Sequence, residues 1–327
     1  MNSTRLCMIG AGRHASRLIY SCFPLLQNAQ VVANADLDEE RATSIARKYG
    51  IERSYTDYRQ MLAREKPDGV IICVGADFHA RTAVEVMDAG YHVYTEKAPA
   101  LDLEQCRQML KAHQRSGKVC MTAFKKRFAP AYQKARAVIE REDFGQQTLL
   151  TITRTSGHWH EGEDSVLAYL RENSIHVVDL VAYLFGPVKR VSAMAHSVAT
   201  AAMTFEFING GIGTLAVTDR MSYARGWEVV TAVGSGGICI QVDNSVEMNA
   251  FKFDQPIAAH KPEFVAGTSM SAAEQGFSGE LQAFVDAIRN GTRPDASIEH
   301  AVHAMAILKA VKQSFASGQT TEVENFE

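Results

Sequence analysis

Cysteine is sparse in this chain and never paired in a working spacing. The six cysteines, Cys7, Cys22, Cys73, Cys106, Cys120 and Cys239, include no C-x-x-C. That argues against a zinc ribbon, a thioredoxin-like motif and a disulfide frame. Cys7, Cys73 and Cys120 lie inside apolar, strand-like runs and read as small buried hydrophobes of a reducing compartment. No apolar segment approaches the ~18 residues that a membrane helix requires. No sign of charge dominates, because 34 Lys and Arg stand against 37 Asp and Glu for a net charge of −3. Electrostatics therefore offers no case for nucleic acid or an anionic membrane as partner. The densest basic spot, Lys125-Lys126-Arg127, reads as a solvated face. Internal repeats and low-complexity linkers are also lacking. The first strand begins almost at the N-terminus and leaves no room for a secretory leader, so a cytoplasmic protein is expected.

What is present begins with Leu6 to Ile9, a short apolar run that reads as a buried strand and ends at Gly10-Ala11-Gly12. A helical pattern opens behind it with Arg13, Ala15, Leu18 and Ile19. Gly10 permits a tight turn, Gly12 lets backbone approach a ligand closely, and Ala15 is small enough for helix to pack on strand. The first helical N–H groups then suit a pyrophosphate. A lone G-x-G-x-x-[GA] is weak, but here a second strand, Gln30 to Asp36, ends in a carboxylate at the expected distance. At that place Asp36 can accept both hydroxyls of an adenosine ribose and repel a 2′-phosphate, which favours NAD over NADP. Arg41 lies close by in the sequence. The bland alternative for Asp36 is a surface turn.

With 327 residues the chain is long enough for two domains. The first third alternates strand and helix: helices over 37–49, 58–64, 79–89 and 101–116, strands over 69–74, 91–95 and 118–123. Gly69-Val-Ile-Ile-Cys-Val74 is continuously apolar, as a parallel strand covered on both faces should be. This pattern predicts a doubly wound parallel sheet, an α/β Rossmann domain over 1–123, with ligands at the carboxyl ends of its strands. From Phe124 the texture changes. Helices are expected over 131–140 and 174–185, a strand over 148–154, then a succession of strands from Val188 to Phe253 with a hairpin at Asn209-Gly210-Gly211. That predicts an α+β second domain over 124–327 with an open, mostly antiparallel sheet. A loop over 262–276 and two closing helices, 279–289 and 298–315, complete the reading.

Two further groups carry chemistry. Lys97 follows a strand of the parallel sheet, on the rim where a nicotinamide should lie, and could act as acid or base toward a carbonyl–alcohol pair if desolvated. In isolation such a lysine is a solvated charge. In Glu172-Asn-Ser-Ile-His-Val-Val-Asp179, Asn173 or Ser174 can cap a helix on which His176 and Asp179 share one face, with Tyr183 a turn beyond. His176 is then either a salt-bridged surface histidine or a proton relay. His158-x-His160 with Glu161 and Glu163 could hold a metal with His176, but the stretch lacks a strand pattern and reads as a loop lining a cleft; no metal is assigned.

Together these pieces resemble the glucose–fructose oxidoreductase / inositol dehydrogenase (Gfo/Idh/MocA) family over nearly the whole length. Gly10-Ala-Gly-Arg-His-Ala15 resembles its dinucleotide loop and Ala35 to Ala42 its ribose-binding turn. Val70 to His79 is similar to its third-loop pattern, with Ala76 where proline is usual. Ala89-Gly-Tyr-His-Val-Tyr-Thr-Glu-Lys-Ala98 resembles its A-G-x-H-V-x-x-E-K-P signature, and Lys126 to Ala131 and Ile175 to Gly186 its later markers. The resemblance implies NAD(P)-dependent hydride transfer at a hydroxyl or ketone carbon of a sugar, sugar derivative or cyclitol. It implies Lys97 and His176 as catalytic residues, with Glu172 where the family commonly has Asp. Cofactor contacts carry over to Gly10, Gly12, Arg13, His14, Ala15, Asp36, Val74, His79, Glu96 and Lys97. Substrate contacts carry over to Lys97, His158, Asn173, His176 and Asp179. A homodimer or homotetramer through the outer face of the second sheet is implied as well. Ala98 in place of proline, Glu172 and Ser174 (where glycine is usual) depart from the pattern. Two other activities fit the same scaffold: a non-catalytic nucleotide-sensing regulator, and NAD-assisted glycoside cleavage.

Overall fold

The computed structural model describes residues 3–158, 165–196, 199–222, 226–262 and 268–324. The chain forms two compact units, Met1–Lys125 with Ala266–Val302, and Lys126–Val265 with His303–Glu327. The expected contiguous division at 123/124 is therefore incomplete, because a segment from near the C-terminus returns to the first unit.

The first unit begins with β1 (Thr4–Ile9), β2 (Ala29–Ala35), α1 (Glu39–Tyr49), β3 (Arg53–Tyr55) and α2 (Tyr58–Glu65). It continues with β4 (Gly69–Ile72), α3 (Ala76–Asp88), β5 (His92–Thr95), α4 (Leu103–Ser116) and β6 (Cys120–Thr122). The strands form one sheet in the order β3-β2-β1-β4-β5-β6, every neighbouring pair parallel. The chain order reverses between β1 and β4, which opens a crevice at their carboxyl ends. Leu6, Cys7, Met8, Val70, Ile71 and Ile72 are wholly buried, as strands covered on both faces require. Local chemistry ends the helices where the sequence indicates. Asp38 caps α1 by accepting the Arg41 N–H, and Gly50 closes it in the left-handed conformation at φ 67°. Behind β1 the helix is irregular, a wide π turn over Ala15–Ile19 that tightens to 3-10 winding over Tyr20–Leu25. Pro24, which has no N–H to donate, sits in that last turn.

The second unit contains α5 (Pro130–Ile139), β7 (Gln147–Gly157), α6 (Ser165–Glu172), α7 (Ile175–Phe185), β8 (Val188–His196) and β9 (Thr200–Phe207). After these come β10 (Ile212–Met221), β11 (Glu228–Gly234), β12 (Ile238–Asp243), β13 (Glu247–Lys252) and β14 (Gln255–His260). With β15 (Thr321–Glu322) the strands make a nine-stranded sheet, β14-β13-β12-β11-β7-β10-β9-β8-β15. All its pairs are antiparallel except β7 with β10. The Asn209-Gly-Gly turn joins β9 to β10, with Gly210 at φ 88° and the Asn209 side chain accepting the Gly211 N–H. One face is apolar and buried (Met203, Phe205, Leu215, Val230, Ile240, Met248) and the other is open. Of the expected 262–276 loop, Thr268–Glu274 is helical (α8). Then α9 (Phe277–Asn290) packs Phe284 against Tyr94 of β5, ring centroids 5.9 Å apart, and α10 (Ile298–Ser317) follows.

Candidate functional site

At the carboxyl ends of β1 and β2 lies a cleft of about 720 Å³. Gly10 turns there at φ 102°, a conformation that L side chains rarely adopt, and a Cβ on it would meet the Cys73 carbonyl oxygen at 2.1 Å. A Cβ on Gly12 would meet nothing within 4 Å, so backbone is bare toward the cleft there. Asp36 is held in place by the chain around it. Its Oδ2 accepts the Ala11 N–H at 2.7 Å and its Oδ1 the Asp38 N–H at 3.0 Å. Arg41 stands over this turn, Nη1 3.5 Å from Asp36 and Nη2 3.0 Å from Asp38. Glycine cradle, open backbone and anchored carboxylate fit the pyrophosphate and ribose of a dinucleotide. Gly10, Gly12, Arg13, His14, Ala15, Asp36 and Val74 all line the cleft.

His79, Glu96 and Lys97 do not line it; they build the rim behind. His79 is 1% exposed. Its Nε2 accepts the Val74 N–H at 3.2 Å and its Nδ1 donates to the Ala98 carbonyl at 2.7 Å. It thus ties the loop after β4 to the loop after β5 as a neutral imidazole, its proton affinity lowered chiefly by burial. Glu96 is also buried, with Oε1 3.3 Å from His14 Nε2 and Oε2 accepting the Lys97 N–H at 3.0 Å. Burial opposes its charge, but His14 and Lys97 outweigh burial and hold the carboxyl below its usual range. The Lys97–Ala98 peptide is cis. Lys97 itself is half-buried.

The remaining expected residues belong to the second unit. His176 is buried at the start of α7. Asp179, on the same face, accepts a two-pronged bond from Arg127, 2.7 Å at each prong, and Arg127 also lies over the Tyr183 ring at 5.0 Å. His176 is thus no surface histidine. Neither expected cap operates: Ser174 makes no side-chain cap bond, and Asn173 Oδ1 is taken by Arg154 Nη2 at 2.8 Å. Glu172 ends α6 and pairs with Arg171 at 2.7 Å. His158 directly follows β7, its Nδ1 3.1 Å from the buried Asp219. His160, Glu161 and Glu163 lie outside the described residues.

One basic stretch is not what the sequence indicates. Lys126 and Arg127 are 4% and 3% exposed, not solvated. Lys126 Nζ bonds Glu228 at 2.6 Å and Ser245 at 2.7 Å, while Arg127 holds Asp179. Sequence reading also misses the far walls of the cleft, Thr56, Tyr58, Arg59, Phe78, Arg81 and Thr82. Phe78, inside the Val70 to His79 stretch, was the available signal.

Parallel sheet, reversal point, glycine cradle and anchored acid define a dinucleotide-binding architecture. A family model for "Oxidoreductase family, NAD-binding Rossmann fold" (GFO_IDH_MocA) matches residues 4–124, and the family's "C-terminal alpha/beta domain" model matches 158–323. The chain belongs to this oxidoreductase family. It is 23% identical over 343 residues to myo-inositol 2-dehydrogenase of Thermotoga maritima, covering 98% of each chain. A dehydrogenase structure from Chromobacterium violaceum shares the fold at TM-score 0.89 and 20% identity, covering 98% of this chain and 97% of that one. Levoglucosan dehydrogenase in complex with NADH does so at TM-score 0.84 and 21% identity, covering 99% and 100%.

Proposed function

We propose that this chain is an NAD-preferring oxidoreductase acting on a hydroxyl or ketone carbon of a sugar, sugar derivative or cyclitol. The observation that carries the reading is Asp36, a carboxylate pinned at the glycine loop by two backbone N–H groups. An acid so placed accepts ribose hydroxyls and repels a 2′-phosphate. Arg41, the nearest cation, is already engaged by Asp36 and Asp38. The polyhydroxylated substrate class is supported by the name of the Thermotoga relative.

The bound nicotinamide would supply or accept hydride. Gly10 and Gly12 would admit the pyrophosphate to the first helical N–H groups, flanked by Arg13 and His14. Glu96, charged and bonded to the Lys97 N–H, fixes the backbone that carries Lys97. Lys97 then gives or takes the proton on the substrate oxygen, and His176 serves as relay. His158, Asn173, Glu172 and Asp179 are assigned to holding hydroxyls or orienting those that do. For assembly, the open sheet face carries an apolar cross-strand row, Ile212–Leu149–Val233–Cys239–Phe251, in register across five strands. Its ends, Ile212 and Phe251, are exposed, which supports self-association of two copies through this face. Six separate thiols support a reducing compartment such as the cytoplasm.

The test is thermal stability with NAD(H) and NADP(H), then NADH production on a panel of cyclitols and sugars. A ligand at a hundredfold excess over its Kd adds about 2.7 kcal/mol. The proposal expects a clear shift with NAD(H) and little with NADP(H). Equal shifts would overturn the cofactor preference. On a substrate found this way, Lys97→Ala should lose about 10²–10⁴ in kcat; full turnover would remove Lys97 from the mechanism.

A further inference from the structure

One charged cluster beside the cleft is used by nothing above. Glu85 lies on α3, outside the cleft lining, yet it reaches three residues that do line it. Its Oε2 accepts the Tyr58 hydroxyl at 2.6 Å and Arg59 Nη2 at 2.5 Å, both from α2. Its Oε1 is 4.0 Å from Arg81 Nε, one turn earlier on its own helix. Each arginine also covers an aromatic ring of the wall. Arg59 lies 4.8 Å from the Tyr58 ring and Arg81 5.3 Å from the Phe78 ring. The Tyr58 and Arg59 bonds hold the Glu85 carboxyl below its usual range, so it is charged at neutral pH.

This wall stands past the ribose acid. In the sheet order β3-β2-β1 the Asp36 N–H bonds the Tyr55 carbonyl at the end of β3, so Thr56, Tyr58 and Arg59, which follow β3, lie on the side of Asp36 away from the glycine loop. Leu37, Phe78 and Arg81 line the same cleft. A dinucleotide with its pyrophosphate at Gly10–Ala15 and its ribose at Asp36 has only its adenine left to place there. Leu37 is 95% exposed and Phe78 48%, apolar surface that a flat purine would cover.

Resting on the dinucleotide reading above, we propose that Glu85 is a positioning residue for adenine. By bonding Tyr58 and Arg59 of α2 from its seat on α3, it fixes the wall against which the purine packs. Glu85 touches no reacting atom. Its effect is confined to the adenosine half of the cofactor.

The experiment compares wild type, Glu85→Gln and Tyr58→Phe by calorimetric affinity for NAD⁺, ADP and nicotinamide mononucleotide, with melting temperature as control. Glu85→Gln keeps the shape and removes the charge-assisted bonds. It should weaken NAD⁺ and ADP by the same factor, about five- to tenfold, and leave the mononucleotide unchanged. Tyr58→Phe removes one bond and should weaken both by about two- to threefold. On an identified substrate, KM for NAD⁺ should rise while kcat at saturating NAD⁺ holds. Unchanged ADP affinity in either folded variant overturns the inference and leaves the dinucleotide reading standing. Equal losses for all three ligands with a lower melting temperature also overturn it, as a merely structural effect. A wild type that binds none of the three overturns both.

Discussion

Two glutamates, one in each compact unit, are buried equally well and treated in opposite ways. Glu228 on β11 is enclosed by donors. Lys126 at 2.6 Å, Tyr132 at 2.7 Å and Ser245 at 2.9 Å meet one oxygen, and Arg154 at 3.1 Å meets the other. Glu280 on α9 is 0% exposed, and neither of its oxygens has a hydrogen-bond partner among the described residues. Around it are the Tyr94 hydroxyl, the Glu96 carboxylate, Cys22 and, as a cation, Lys125. Burial pushes both carboxyls up. At Glu228 the charges of Lys126 and Arg154, then the bonds from Lys126 and Tyr132, outweigh burial and hold it far below the usual range. At Glu280 the charge of Glu96 adds to burial, and its proton affinity rises well above the usual carboxylate range. Burial thus fixes only how much is at stake; the neighbours decide the sign.

The largest effect should come from breaking the enclosed acid. Glu228→Gln strands Lys126 and Arg154 in a buried setting, and loss of one partner of such a pair costs about 3–5 kcal/mol. Urea unfolding should show the loss at pH 7. The double variant Lys126→Met/Glu228→Leu should recover part of it, since an apolar pair of similar size is often nearly neutral. The depressed carboxyl also sets a pH dependence. Its stabilisation is complete above the ordinary carboxylate range and is lost as pH falls toward the folded-state value. Wild type should therefore weaken on acidification and Glu228→Gln much less so. Parallel acid limbs would show that this cluster contributes no charge term.

The same contrast marks how far the sequence could be read. β1, β4 and the Gly10–Ala15 turn were legible because their meaning is local: a continuous apolar run, a glycine, an acid at a fixed spacing. Asp36 was legible for that reason, and it stands at the glycine loop. Lys126 and Arg127 were not. Their partners Glu228 and Asp179 lie 102 and 52 residues away, and a basic triplet with distant partners reads as a solvated face. The cleft's outer wall was hidden likewise, because Tyr58 and Arg59 of α2 are joined to α3 only by folding, through Glu85, 26 and more residues further along the chain. The Ser174 cap failed because its backbone sits at φ −91°, ψ 1°, not in the extended conformation of an N-cap residue, and the neighbouring Asn173 is claimed by Arg154 of β7. The return of α9 to the first unit is a packing fact, fixed by contacts such as Phe284 on Tyr94.

The smaller and more discriminating effect belongs to Glu280. A carboxyl whose proton affinity is raised by folding binds a proton in the native state that the unfolded chain releases above the ordinary carboxylate range. Stability from this group is therefore intact in acid and drains as pH rises, the reverse of Glu228. Glu280→Gln replaces the protonated acid with a neutral group of the same shape. It should match wild type near pH 5 and then gain on it, by up to about 1.4 kcal/mol per pH unit for one proton. Unfolding midpoints of the two proteins should separate as pH rises from 5. Flat, parallel curves would mean that Glu280 is ionised when buried, and that Lys125 neutralises it as Lys126 neutralises Glu228. Glu96 would then share its pocket with a second negative charge, and Glu280→Gln would have to lower its proton affinity further. Titration of Glu96 by carboxyl-carbon NMR in the variant decides between the two states: an unmoved Glu96 fits a Glu280 that was neutral from the start.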